Sequence, residues 1–474
     1  MSIEDRLSAS PVVEIARAAL AGAGIDGWIA GGAVRDAALG GEVSDLDLAV
    51  AGSPEAAARA IAAGGDGHAF ELSAEFATWR VVARDKGWQA DVSALRGATI
   101  EADLAERDFS VGAVAVPLAG GEPIDPHGGL ADLERRVLRA VGPESFAADP
   151  LRLLRAARLA VELGLELDPE TAELARSEAS HAADPAGERQ LVELRRLIGG
   201  ADPLRGLALL DELGVTPVVL PELAGLRDVE QGPNHHLDVH GHTLAVLERT
   251  LEVEADLDRF AGERAEDARA LLDEPLADEM TRRTALRFGA VLHDIGKPAT
   301  RGERGGYVTF IGHDSEGAEM VAAACRRLRA SRTLTEHLKA LTLHHLRLGF
   351  LVHEMPLPPR RVHEYLRATE PVAADVTLLT VADRLSARGS GPFATEEAIE
   401  AHLELARQML AAALDWRRDG PPAPLLPGDE LAAELGIAEG PELGELIAEL
   451  EAARYAGEIG SREEAVAWAR ALRG

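Results

Sequence analysis

Near Val137 the chain changes its hydrophobic period, and that change constrains the fold more than any single motif. Up to about residue 125, short β-type runs alternate with helical ones. Gly27–Ala30 and Asp45–Val50 predict strands, Pro54–Ala63 predicts a helix, and Trp79–Ala83 with Trp88–Val92 predicts a hairpin around Asp85-Lys86-Gly87. From about Val137 onward strand signals nearly vanish. Leu151–Leu163 and Glu188–Leu197 carry apolar residues at helical spacing, and further helices follow between Gly and Pro breaks. With 474 residues and 46% apolar content, the chain can bury several cores. The expected architecture is multidomain α+β. A small mixed-sheet head spans 1–140, a helical neck 141–228 and a larger helical domain 229–415. Beyond the Gly420-Pro421-Pro422-Ala423-Pro424 break, a helical tail spans 425–474.

Charge and cysteine usage narrow the functional classes. The net charge of −31 excludes a bulk basic field, so any polyanionic partner must be met by a local patch. The deficit is uneven: residues 251–280 carry a net −8 and residues 428–474 a net −7, whereas residues 135–205 carry 11 basic and 12 acidic side chains. The single cysteine, Cys325, excludes an internal disulfide framework and a Cys-rich zinc site. The charged start, Met-Ser-Ile-Glu-Asp-Arg, does not read as a signal peptide, and no apolar run reaches the roughly 18 residues of a membrane span. The expectation is a soluble, cytoplasmic protein with no membrane partner. Composition sets no oligomeric state. Eleven of the 15 histidines fall between His235 and His363, a density that packing alone does not require.

Two constellations carry chemistry. In the first, Gly31-Gly32-Ala33-Val34-Arg35-Asp36 follows the strand Trp28-Ile29-Ala30 and opens a helix, so backbone N–H groups there can converge on a phosphate. Alone, such a turn is a common connection. Asp45 and Asp47 follow on the next strand, where period-2 spacing puts both carboxylates on one face. Their repulsion is relieved by shared Mg²⁺ ions; the plainer reading is a solvated edge strand.

Taken together, Gly31-Gly32-x-x-Arg35-Asp36 and Asp45-x-Asp47 resemble the signature of the class II tRNA nucleotidyltransferases and bacterial poly(A) polymerases, within the polymerase-β-like superfamily. Arg107-Asp108-Phe109-Ser110 is similar to that family's Arg-Arg-Asp-Phe-Thr motif. Asp125-Pro126-His127-Gly128-Gly129 with Asp132-Leu133 resembles its Asp-Pro-x-Gly-Gly segment, and Asp149 to Arg158 its neck motif. The resemblance covers roughly residues 1 to 215. It implies a nucleotidyltransferase head in which Asp45 and Asp47 are catalytic and hold Mg²⁺, with Asp91 as a third carboxylate. Gly32 and Arg35 would contact the triphosphate and Arg107 the nucleotide. Asp149 and Arg152 would read the incoming base, while Arg155 and Arg158 neutralise phosphates. The implied partners are tRNA, with ATP and also CTP as nucleotides. The sequence departs from the pattern at Glu106, Gly112 and Ala148. Only a short link joins Asp91-Val92-Ser93-Ala94-Leu95-Arg96 to Glu101-Ala102-Asp103-Leu104, which favours A addition over full CCA addition.

In the second constellation, His240-Gly241-His242-Thr243 begins a helical pattern, and Val291-Leu292-His293-Asp294-Ile295-Gly296-Lys297-Pro298 follows. A distant His, an adjacent His-Asp pair and a distant Asp can close an N/O metal shell within a helical bundle. This resembles the HD metal-dependent phosphohydrolases. The resemblance implies His242, His293, Asp294 and Asp383 as ligands, with His313 and His345 holding a second ion. Mn²⁺, Ni²⁺ or Mg²⁺ would suit the site, and phosphoester hydrolysis would be the reaction. His235, His236, His344 and His353 read as supporting or surface groups, and the tail as an RNA anchor or a stabilising cap. Two other functional readings share these motifs. One is an HD phosphohydrolase whose head only binds nucleotide or RNA, consistent with Glu106, Gly112 and Ala148; the other is a poly(A) polymerase.

Overall fold

The computed structural model describes residues 3–41, 43, 45–73, 77–392 and 394–473; Met1 and Ser2 of the charged start and Gly474 of the tail lie outside them. The chain forms two compact units, Met1–Glu193 with Gly200–Val219, and Leu194–Gly199 with Leu220–Gly474.

The first unit is built on a six-stranded sheet: β1 (Gly27–Ala30), β2 (Asp45–Val50), β3 (Gly67–Ser73), β4 (Thr78–Ala83), β5 (Gln89–Ala94) and β6 (Ala115–Pro117), in the order β3-β4-β5-β2-β1-β6. The expected strands and hairpin form. Only β2 and β5 run parallel, with Asp45 opposite Gln89 and Asp47 opposite Asp91. Strand β2 is interior, so the edge-strand reading of its aspartates does not hold.

Alternation fixes the register. Leu46, Leu48, Val81, Ala90 and Val92 point into a core shared with helices Pro11–Ala23 and Pro54–Gly64. A slip of one residue would bury Asp45 and Asp47 and expose the leucines, each worth about 1.5–3 kcal/mol when buried. On the opposite face, Ala30 and Ala49 are covered by Ile100 and Leu104, while Asp45 and Asp47 remain exposed. Helix Arg152–Leu163 packs against Pro203–Glu212 in the same unit.

The second unit is helical. Val239–Ala255 packs on Arg282–Leu292 and Ala373–Ser386, His313–Arg327 pairs with Arg332–His344, and Ala373–Ser386 also lies against Glu396–Asp419. Tail helices Gly428–Leu435, Pro441–Tyr455 and Arg462–Arg473 share a small core of Leu431, Leu446, Leu450 and Ala465. The region beyond Val137 is less purely helical than its sequence suggests. Val137–Leu138 pairs with Glu166–Leu167, Pro275–Ala277 with Met280–Thr281, and Gly302–Arg304 with Tyr307–Thr309. These ladders are two or three residues long, too short to leave a period. No described helix is long and apolar enough to cross a membrane.

Two candidate active sites

In the first unit the sheet face and the β1–helix turn meet at Asp47. Gly31 has φ +74°, which L side chains rarely adopt; a Cβ there would stand 2.7 Å from Arg107 Nη1 and 3.5 Å from Asp47 Oδ2. A Cβ on Gly32 would lie 3.5 Å from both Arg35 Nη2 and Asp47 Oδ2. The paired glycines therefore let Arg35, Arg107 and Asp47 converge. Crowding by protein atoms and the charge of Asp91 raise the Asp47 pKa, against the opposing pull of Arg107, a Gly32 N–H bond and Arg35. Arg107 is aimed by Asp103, which accepts from its Nε and Nη2 at 3.2 and 3.1 Å. Asp91, opposite Asp47, accepts two bonds of 2.7 Å from Arg80. Asp45, Asp47 and Asp91 offer hard oxygen donors on this part of the sheet, with both oxygens of Asp91 held by Arg80.

Several motif residues turn out to build the scaffold. Asp125 accepts from the N–H groups of Gly129 and Leu130 at 2.7 and 2.9 Å, and a Cβ on Gly129 would collide with Ser110 O at 2.0 Å. Buried Asp132 accepts from Ser110 Oγ and Arg139 Nη2, both at 2.6 Å. Asp108 takes a 2.7 Å ion pair from Arg155; burial opposes its ionisation, but the guanidinium prevails and holds its pKa below the usual value.

On the neck, Arg152 donates to the carbonyls of Glu106 (2.7 Å) and Ser145 (3.1 Å), and Asp149 accepts from Arg189 at 2.8 Å. Arg158 is 2% exposed and paired at 2.5 Å with both Glu193 and Glu162. Its guanidinium ties helices together, and the expected phosphate contact is not available to it. Of the departures from the family pattern, Glu106 and Gly112 contribute backbone carbonyls, to Arg152 and Arg107 respectively. The side-chain differences there leave those bonds intact.

In the second unit the expected metal residues come together. His242, His293 and Asp383 form one group, and Asp294, His313 and His345 another, with the ligand atoms of each group within 4.8 Å of one another. The two oxygens of Asp294 face different pairs. Oδ2 lies 3.6 Å from His242 Nε2 and 3.1 Å from His293 Nε2, and Oδ1 lies 3.3 Å from His313 Nε2 and 3.7 Å from His345 Nε2.

Three imidazoles are fixed by their outer nitrogen. Nδ1 of His293, His313 and His345 bonds the carbonyls of Ala290 (2.9 Å), Phe310 (2.7 Å) and Thr342 (2.6 Å), each three residues upstream. A carbonyl only accepts, so Nδ1 carries a proton and, in the neutral ring, Nε2 presents a lone pair inward; burial opposes a second proton on His293, but the Asp294 charge outweighs it and raises the His293 pKa. His313 and His345 Nε2 stand 3.3 Å apart, and His293 Nε2 is buried without a hydrogen bond. Facing lone pairs and an orphaned buried nitrogen are what a divalent cation would satisfy. The arrangement fits the donor set.

Burial lowers the His345 pKa to about 4, keeping it neutral at pH 7. Burial opposes ionisation of Asp294, but His293 and Lys297 hold its pKa well down, and the His242 bond, 3.0 Å long, does the same for Asp383. A cavity of about 810 Å³ opens on His345 and Asp383 and is lined also by Arg384, His402 and Phe350.

Four contributors were not singled out from sequence. Lys297 donates to Asp294 Oδ2 at 2.6 Å and to Gln231 at 2.7 Å; its signal was the three-residue spacing from Asp294. Asp103 also had a local signal, its four-residue spacing from Arg107, whereas Arg80 and Arg189 carry none, because they meet their partners through strand pairing and helix packing. Of the supporting histidines, the His235 ring sits 4.6 Å from that of His242, His344 accepts from Arg347 at 2.9 Å, and His236 and His353 are exposed.

Comparison with known proteins covers both units. Family profiles described as "Poly A polymerase head domain", "Probable RNA and SrmB- binding site of polymerase A" and "HD domain" match residues 27–139, 164–226 and 239–388. An A-adding tRNA nucleotidyltransferase of Deinococcus radiodurans is 35% identical, covering 93% of this chain and 94% of that one. A CC-adding tRNA nucleotidyltransferase of Thermus thermophilus is 33% identical, covering 95% and 94%. In fold, the chain is similar to the Thermotoga maritima CCA-adding enzyme complexed with tRNA, at TM-score 0.62 and 18% identity over 100% of this chain and 99% of that one.

Proposed function

The chain belongs to the tRNA nucleotidyltransferase family fused to an HD domain, and from that membership we propose that it extends tRNA 3′ ends, adding A from ATP. The observation that carries this reading is the convergence of Asp47, Gly31, Gly32, Arg35 and Arg107 at one end of an open sheet face. The short link after β5 and the A-adding name of the Deinococcus relative favour A over CCA. The CC-adding name of the Thermus relative makes C addition the competing outcome. Action on tRNA supports a cytoplasmic location. We retain the division into head (1–140), neck (141–228), HD domain (229–415) and tail (425–474), supported by the three matched spans.

Asp45 and Asp47 hold the divalent cations, Mg²⁺ in our reading, with Asp91 beside them. When bound, these ions lower the pKa of the attacking 3′-hydroxyl and neutralise the triphosphate. Arg35 and Arg107 bind the phosphates from the side of β1, and the glycines leave room for them. Asp149 accepts from the amino group that adenine and cytosine both carry, and Arg152 donates to the adjacent ring nitrogen. Arg155 acts through Asp108 to seat the neck helix.

In the HD domain, His242, His293, Asp294, Asp383, His313 and His345 hold a divalent pair that would supply a hydrolytic nucleophile. Asp294, shared between both groups, keeps them in register, and a phosphoester such as a 2′,3′-cyclic or 3′-phosphorylated RNA end enters the adjoining cavity.

The test is to incubate tRNA ending in -C-C, and tRNA lacking CCA, with labelled ATP or CTP. A single A on the first substrate is expected. No label from either nucleotide would overturn the assignment, and long tails on other RNAs would replace it with poly(A) synthesis.

A further inference from the structure

Beyond the carboxylates, the open sheet face continues to an aromatic pair that the catalytic reading does not use. Three registers line up across four strands: Asp47 is opposite Asp91, Asp91 opposite Arg80, and Arg80 opposite Phe70. Paired residues point to the same face, so Phe70 on edge strand β3 shares the face of the active site, about 14 Å from Asp47 at three interstrand spacings. Phe70 is 39% exposed, and His68, two residues earlier and also exposed, stacks on it with ring centroids 6.0 Å apart and planes at 26°. The inward residues of the same strands, Val81 and Ala69 among them, belong to the core, so the outward aromatics are not needed to close it.

Reaction geometry says what lies there. In-line displacement puts the attacking and leaving oxygens on opposite sides of the phosphorus. In the proposed function the triphosphate lies at Gly31, Gly32 and Arg35, which the strand order puts on the β1 side of β2. The 3′-hydroxyl therefore arrives from the β5 side, and the strand behind it must run over β5 and β4 toward β3. We infer that His68 and Phe70 form a stacking platform for the single-stranded 3′ end of the RNA substrate, upstream of the reacting nucleotide.

At roughly 3.4 Å per stacked nucleotide, 14 Å corresponds to about four nucleotides of single strand. A flat aromatic accepts any base, as a tRNA-general enzyme requires. Arg80 marks the path between platform and carboxylates, its guanidinium held by Asp91.

This inference rests on the tRNA reading, and the experiment separates the two. Wild-type enzyme, H68A, F70A, the double variant and F70W are compared with tRNA carrying 2-aminopurine at the second, third or fourth position from its 3′ end. Wild type and F70W are expected to quench the fluorophore at one of these positions. The double variant is expected to lose the quench and to raise KM for tRNA about five-fold or more, with kcat and KM for ATP within two-fold of wild type. Because both side chains are exposed on an edge strand, an unchanged melting curve verifies folding. Unchanged quench and KM for tRNA in the double variant would overturn the platform. A change only in oligomeric state would overturn it too, and reassign the face to self-association. Wild type that binds tRNA with quenching but never extends it would overturn the transferase reading and leave the platform standing.

Discussion

The sheet-face carboxylates and the histidine cluster keep their charged groups in opposite ways. Asp45 and Asp47 are exposed, and the groups around them are arginines that a polyphosphate can recruit. His242, His293, Asp294 and His345 are at most 2% exposed; His293 and His345 are fixed by backbone carbonyls of their own helices, and Asp294 by Lys297. A site of the first kind is completed by its substrate, which brings charge and can bring cations with it. A site of the second kind is complete before substrate arrives, because without cations its buried lone pairs face one another. On the proposed reading, one chain would pair an exchangeable metal site with a resident one.

The largest effect should come from exchanging the two chemistries. Asp47→Asn is expected to lower tRNA extension by about 10³-fold or more while sparing phosphoester hydrolysis, and Asp294→Asn to do the reverse. Parallel assays on both variants decide; loss of both activities in either would show that the sites are not independent. Next, brief chelation followed by gel filtration should leave metal in wild type and Asp47→Asn but not in Asp294→Asn, as read by elemental analysis. Equal loss from all three would remove the contrast between resident and exchangeable sites. A smaller effect is expected of Asp149→Ala, about 10- to 100-fold in discrimination among ATP, CTP and GTP with tRNA affinity unchanged, measured by competition in single turnover.

The smallest effect is on stability in acid. Burial lowers His402, His344 and His345 to about 4 and His235 to about 3, against about 6.5 unfolded. Between these values the unfolded state binds more protons, so stability is lost as pH falls below 6.5. In the first unit Asp108 is shifted down as well, but from a carboxylate's starting value of 3.8, so its contribution is intact at pH 5 and is lost only as pH falls from there through its lowered value. Urea unfolding of the chelated protein at pH 7 and pH 5 should therefore weaken the second unit first; uniform weakening would contradict the assignment.

Much of this was legible in sequence where chemistry is local. Alternation placed β2, β4 and β5, and the Asp45-x-Asp47 and His293-Asp294 motifs each sit within one turn or strand. Two misses have geometric causes. In β3 the outward residues His68, Phe70 and Leu72 are larger than the inward Ala69, inverting the usual alternation of an edge strand. The stripe of Arg152, Arg155 and Arg158 advances about 300° per step of three residues, so each step drifts about 60° around the helix. By Arg158 the stripe has rotated into the interior. The family resemblance gave Arg155 and Arg158 one role, and only packing separates them.

The ion pair between Asp108 and Arg155 bears on how the chain can be cut or grafted. The matched head profile stops at residue 139, yet Asp108 within it is neutralised by a residue 47 positions later, outside that span. A fragment ending near 140 would strand a carboxylate among buried atoms, and a chimera joined there would set one parent's aspartate against another's helix. Exchangeable modules among such enzymes should instead break after the neck. Gene fusions or truncations placed at the apparent boundary are expected to yield insoluble protein.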